Sequence, residues 1–411
     1  MPISRQRKRE VLTLILAMSC LAVSWYFAIE FAAPATFHLP HGLINDLYIP
    51  WNASRAMLRH IDPYSDRVTE QNQQAAFGGT AQSLHEHDER RFAYPVYAAF
   101  PFIPLALMDF DTANNIAFWV FALLAALSVG WLRGTWDRDT AVYCILFFAS
   151  YPLILALQVR QPTILFLALG IAGFHLLSRG QPVSAGLAAA LSTGKPQVAL
   201  PIVLPMLIWA CARWRQCKSF VLSFIAGCAV LVSVSSITTP PWIAEWTAAL
   251  RSYTHYGGPS LVNNYFGARM GFLISAMIAL VLTLVLWLSR NSDLLFLSAI
   301  SVVVWQFLLP VFMYSQVILL IPAVWVARDA ALIKSRGDMS QLTLAVVRIA
   351  FIEFWLATAI GAILVHTNTA GKAIAWQIGQ LGIMIFPMLW SLLAMIVLQL
   401  GAKIFTAQHE H

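Results

Sequence analysis

The chain has 411 residues, of which 59% are hydrophobic and only 11% charged, with a mean hydropathy of +0.70. A soluble domain carries about 25% charged residues, so this one cannot cover itself with polar surface and reads as a polytopic membrane protein. The net charge of +7 gathers at the ends of apolar segments, and no nucleic-acid partner is expected.

The basic run Arg5–Arg9 precedes an apolar stretch from Val11 to Ile29, which anchors the N-terminus inside by the positive-inside rule. Ala33-Pro34-Ala35 loosely resembles a cleavage site, but the apolar stretch before it is too long for the core of a signal peptide. Further hydrophobic segments fall near 93–109, 113–132, 140–158, 162–178, 183–194, 196–212, 219–238, 269–289, 293–309, 311–327, 341–366 and 374–400. About 20 apolar residues cross a ~30 Å hydrocarbon core.

Arg179, then Arg213, Arg215 and Lys218, then Arg290, then Arg328, Lys334 and Arg336, and finally Lys403 mark the inner side. They force loops 239–268, 310–316 and 367–373, and Gln161, to the outside. Counting from the N-terminus puts Gln161 inside, so one early segment does not cross. The segment 93–109, short and broken by Pro95, Pro101 and Pro104, is the one expected to fail. The expectation is a single all-α membrane domain over 1–411, with about 12 transmembrane helices and both termini inside. Five cysteines (Cys20, Cys144, Cys211, Cys217, Cys228) form no CxxC pair and read as small core residues.

Two long outer loops, 33–92 and 239–268, carry the polar chemistry. In the first, Trp51, Ser54, Met57, Leu58 and Ile61 fall on overlapping helical faces while Arg55 and Arg59 share another. That spacing predicts a helix lying in the membrane interface with its arginines toward lipid phosphates. Asp46, at its head, is either the cap of that helix or a catalytic acid held at the membrane surface. Asp62 reads as a turn residue before Pro63-Tyr64. His85 to Glu89 lacks the spacing of a closed metal site and reads as a solvated loop, so no metal is expected. Within 183–212, Lys195-Pro196 predicts two short helices meeting at an outer turn, where a lysine wants an anion or snorkels to headgroups. In the second loop Pro241 and the spaced Trp residues predict another interfacial helix, followed by Asn263 and Asn264, which could bind hydroxyls.

Asp46-x2-Ile49, Trp51, Ala53, Ala56, Leu58 and Asp62-Pro63-Tyr64 match the opening motif of glycosyltransferase family 87. Tyr94 to Phe110, Arg160 to Leu200 and Leu309 to Pro322 look like the same family in the same order, so the resemblance spans about residues 40 to 325. The chain departs from that pattern in places. His60 stands where glycine is usual, Val96 replaces a proline, and Arg160-Gln161 replaces Gly-Gln. The stretch Pro310 to Gln316 lacks the His or Asp that members often carry, leaving Tyr314 as a replacement.

The family resembles the polyprenol-phosphate-mannose-dependent mannosyltransferases. The likeness implies a GT-C fold, a polyprenyl-phosphate sugar donor, a lipid or glycan acceptor, no cofactor, and a multi-pass protein of the bacterial plasma membrane. In that setting Asp46 is the expected general base of an inverting transfer. Lys195 and Arg160, with Arg269 and Arg251 behind them, are the expected ligands of the donor phosphate. Tyr64, Gln161, Asn263, Asn264 and Tyr314 are the expected substrate contacts. A transporter or flippase is the alternative, though no internal repeat or mid-membrane charge supports it.

Overall fold

A computed structural model describes residues 45–79, 89–256, 260–310, 313–335 and 338–347, with scattered positions between 14 and 25 and between 392 and 399. Among the described residues all regular structure is helical. In chain order the elements are α1 (Tyr48–Leu58), α2 (Asp66–Phe77), a 3₁₀ stretch Val96–Phe102 running into a single turn α3 (Ile103–Ala106), α4 (Phe110–Arg133), α5 (Arg138–Phe148), α6 (Tyr151–Gln158) and α7 (Thr163–Ser178). There follow α8 (Pro182–Ser192), α9 (Pro196–Ala212), α10 (Trp214–Thr238), α11 (Trp242–Tyr256), α12 (Leu261–Leu288), α13 (Leu294–Leu308), a second 3₁₀ stretch Met313–Leu319 and α14 (Leu320–Lys334).

The helices begin where side chains can satisfy their first N–H groups. Asp109 accepts from Thr112 N at the head of α4, Asp137 from Thr140 N at α5, Ser260 from Asn263 N at α12, and Asp293 from Leu295 N and Phe296 N at α13. Among the described residues, Phe110–Arg133, Trp214–Thr238, Leu261–Leu288 and the run Tyr314–Lys334 are long and apolar enough to cross a membrane. The expected segment 140–158 is instead bent by 66° between α5 and α6. Ser150 and Pro152 explain the break, because the proline ring cannot continue a preceding turn. The stretch Val96–Ala106 is only eleven residues, about 20 Å, short of the ~30 Å core. The expected total of 12 crossings also draws on 11–32, 341–366 and 374–400, which lie mostly outside the described residues.

Just past the end of α7 Arg179 donates to Gly134 O (3.2 Å), just past α9 Arg213 donates to Arg290 O (3.0 Å), and in the second half of α14 Arg328 pairs with Asp293 (2.7 Å) at the head of α13. The basic clusters read as one side of the membrane therefore sit at shared helix ends. The N-terminal ends of α7 and α9, at Thr163 and Pro196, lie at the opposite end. Between the ends the core is close-packed. α8 packs most extensively on α7 and α10, and a Cβ at Gly186 would fall 2.4 Å from Phe220 O, so only glycine lets these backbones approach.

α1 buries one face on protein: Pro50, Trp51, Asn52, Ala53, Ser54 and Ala56 are all buried, because the helix docks on the proline-rich stretch 96–106. Trp51 donates to Leu105 O (3.0 Å), and Arg55 stacks on the Trp51 ring at 5.0 Å rather than standing free. After Tyr64 the Gln-rich text forms the helix α2. Its buried face is Val68, Thr69, Asn72, Gln73, Ala76 and Phe77, a helical repeat written partly in amides.

Candidate active site

Asn45 and Asp46 bring the first outer loop onto the turn between α6 and α7. Asp46 N donates to Val159 O (2.9 Å), and Asn45 bonds Asn114 of α4 (2.6 Å). The turn into α1 is made by Asn45, whose Oδ1 accepts from Leu47 N (3.2 Å), and α1 itself has no side-chain cap. The Asp46 carboxylate is directed elsewhere. Its Oδ2 accepts from Gln161 Nε2 at 2.5 Å, and its Oδ1 lies 3.4 Å from Arg90 Nη1. The Asp46 side chain is 25% exposed and that of Arg90 20%.

Behind Gln161 lies Lys195, in the turn between α8 and α9 and 3% exposed. Its ammonium donates to Gln161 Oε1 (2.9 Å) and to the Thr163 hydroxyl, and sits over the rings of Tyr94 (5.8 Å) and Tyr314 (5.6 Å). A buried ammonium is tolerable only with acceptors and a counter-charge close by, which the amide, the hydroxyl, the two ring faces and Asp46 supply together. The result is a quarter-exposed carboxylate, a buried cation, and one amide between them.

Nothing in the sequence singles out Arg90. α2 holds it in place: Asn72 donates to Arg90 O (3.0 Å), Gln73 donates to Glu89 O (2.9 Å), and Asn52 of α1 bonds Asn72 (2.9 Å). This clamp keeps Arg90 at a positive φ of 52°. Glu89 also pairs with Arg91 (2.6 Å) and accepts from Ser252 of α11 (2.7 Å), so the end of the His85–Glu89 run is an ion-pair bridge; 85–88 lie outside the described residues. No metal-holding group is found among the described residues.

The site lies at the end of the bundle away from the basic helix ends, and the family model for glycosyltransferase family 87 matches residues 92–315, more than half of the chain. The chain belongs to glycosyltransferase family 87. No curated protein and no solved structure matches it. Membership makes the protein a glycosyltransferase rather than the alternative transporter, with a sugar donor and an acceptor as its substrates. Gln161, Thr163, Lys195 and Tyr314 fall inside the matched region; Asp46, Tyr64 and Arg90 precede it.

The family's glycines explain two residues. His60 and Arg160, which stand where the family pattern has glycine, both have positive φ (57° and 49°). The fold keeps the left-handed turns that glycine would adopt freely, at about 1 kcal/mol or more each. Arg160 offsets this by donating from Nη1 to Leu157 O and Gln158 O (both 2.9 Å) at the end of α6, with its guanidinium over Phe118 at 4.9 Å. Arg160, expected as a phosphate ligand, has its Nη1 bonded to the end of α6. Arg160→Gly is accordingly expected to change transfer by less than about threefold and to preserve the melting temperature, because relief of the backbone strain offsets the lost cap. A loss of activity beyond about tenfold would put the guanidinium on a substrate.

The other expected site residues are distributed. Tyr64 is 6% exposed and donates to Tyr94 O (2.6 Å), packing on Phe92. Burial, with Asp62 adding to it, pushes its phenol above the usual value, so it stays a neutral donor that ties α1 to the Tyr94 segment. Asp62 accepts from Tyr64 N (3.0 Å), the turn role read from the sequence. Arg251 is exposed on α11. Asn264 and Arg269 are exposed on α12, on either side of a break at Gly267 (φ 72°, ψ 168°). Asn263 is packed against Gly271 of the same helix, with its Oδ1 buried and without a hydrogen-bond partner.

Proposed function

We propose that the protein transfers a hexose, with mannose as the leading choice, from a polyprenyl-phosphate donor to a lipid or glycan acceptor, with inversion and with Asp46 as general base. The observation that carries this reading is the carboxylate itself: quarter-exposed, fixed by Gln161 and flanked by Arg90. The acceptor hydroxyl gives its proton to Asp46, its oxygen forms the new bond to the anomeric carbon, and the carbon–oxygen bond to the phosphate breaks. The electron pair leaves with the polyprenyl phosphate. One base and direct attack invert the anomeric centre; a double displacement would need a nucleophile on the opposite face. Arg90, beside the carboxylate and within reach of the same space, takes the charge that develops on the departing phosphate.

The shared basic helix ends favour a cytoplasmic position for that side, which puts the site on the extracytoplasmic face of a bacterial plasma membrane with both termini cytoplasmic. The GT-C architecture goes with the same reading. Purified protein in proteoliposomes, supplied with labelled hexose either as the polyprenyl phosphate or as the nucleotide diphosphate, tests it. Label should reach lipid from the polyprenyl donor alone, and proton NMR should show the anomeric configuration opposite to that of the donor. Transfer only from the nucleotide sugar, or a retained configuration, would refute the reading.

A further inference from the structure

The bonds around Gln161 have a directionality that bears on how the Asp46 carboxylate is held. The Gln161 amide is 1% exposed and lies between opposite charges, donating from Nε2 to Asp46 Oδ2 (2.5 Å) and accepting at Oε1 from Lys195 Nζ (2.9 Å). Turning the amide over would set its NH₂ against an ammonium and its carbonyl against a carboxylate, so the two charges allow one orientation. The ammonium also polarises the amide, which strengthens its N–H as a donor toward Asp46. The amide thus fixes the orientation of the Asp46 carboxylate, whose Oδ1 lies 3.4 Å from Arg90 Nη1.

Lys195 is poorly placed to meet a phosphate directly. It is 3% exposed, two of its three protons are directed to Gln161 and Thr163, and the rings of Tyr94 and Tyr314 cover it.

We propose that Lys195 and Gln161 are positioning residues: Lys195 orients the Gln161 amide, and the amide holds the Asp46 carboxylate in the orientation in which it takes the acceptor's proton. The proposal rests on the reading of Asp46 as base. It replaces the expected phosphate-ligand role of Lys195 and the expected substrate contact of Gln161 with roles that act through Asp46.

Lys195→Met, Gln161→Leu and the double variant separate these roles, using polyprenyl phosphate as binding probe and labelled polyprenyl-phosphate hexose as substrate. Both single variants should lower kcat by about 10- to 100-fold, the scale expected when a reacting group is misplaced by about 1 Å. The Kd for polyprenyl phosphate and the donor KM should stay within about twofold of wild type. The double variant should be no slower than Gln161→Leu, because both substitutions break one chain of contacts. A tenfold or greater weakening of polyprenyl phosphate binding in Lys195→Met, or losses that multiply in the double variant, would overturn the proposal.

Gln161→Glu keeps the shape of the side chain and covers the case in which Lys195→Met does not fold. It sets a second carboxylate against Asp46, so the acid limb of the kcat profile should move up by about one pH unit or more. An unmoved limb would contradict the contact. Asp46→Asn, run alongside, keeps the two readings apart. Full activity there defeats the base assignment itself, whereas lost activity there with weakened phosphate binding in Lys195→Met defeats only the positioning role.

Discussion

Replacing Arg90 with glutamine is expected to lower kcat/KM for the polyprenyl-phosphate donor by about 20- to 900-fold, with a smaller effect on the affinity for the acceptor. Two consequences of the change oppose each other. Losing the pair with Asp46 frees the carboxylate from a neighbouring cation, but that pair is a single 3.4 Å contact with both side chains a fifth to a quarter exposed, worth about 1 kcal/mol or less. Losing a cation aimed at a developing oxyanion costs about 2.7–4 kcal/mol in sites of this kind. The second effect wins, and the variant slows. The comparison that checks it is donor titration in proteoliposomes. Unchanged kcat/KM would return Arg90 to a structural partner of Asp46, held by Asn72 for stability alone.

Asp46→Asn is expected to lower transfer by about 10²–10⁴-fold, the range contributed by a positioned general base. The substitution preserves the volume of the side chain and its backbone bond to Val159, so the loop should keep its place on the α6–α7 turn. The hydrogen bonding does change. An amide offers an NH₂ where the carboxylate offered an oxygen, and the new side chain must turn its own carbonyl toward Gln161 Nε2 to avoid meeting it with a donor. Polyprenyl phosphate binding is therefore expected to stay within a few-fold of wild type while turnover collapses. A loss confined to binding would make Asp46 a substrate ligand, not a base.

Much of this site can be read from the sequence, and the rest is hidden for physical reasons. Asp46 stands out as an acid at the edge of an apolar segment, and Lys195 as a lysine breaking one. That the two meet through Gln161 is beyond reach, because the contacts join residues 115 and 34 positions apart and only tertiary packing creates them. Arg90 is hidden in text that looks like a solvated loop. Its place is fixed by Asn72 and Gln73, amides that composition assigns to water and that α2 turns inward.

For Arg160 the sequence shows the cation beside Gln161 but not its backbone: it stands at a positive φ with its Nη1 bonded to the end of α6. For α1 the spacing shows a helix but not what covers its faces: Asn52, Ser54 and Ala56 are buried against protein. The bend between α5 and α6 escapes the sequence because hydropathy alone does not distinguish one long span from two short helices, although Pro152 marks the place.

The most direct test is single-turnover sugar transfer with the polyprenyl-phosphate donor already bound, wild type beside Asp46→Asn at equal donor occupancy. Rapid formation of labelled glycolipid by wild type and a rate about 10²-fold or more lower in the variant is the predicted result. Equal rates in the two proteins would contradict a role for Asp46 in taking the acceptor's proton.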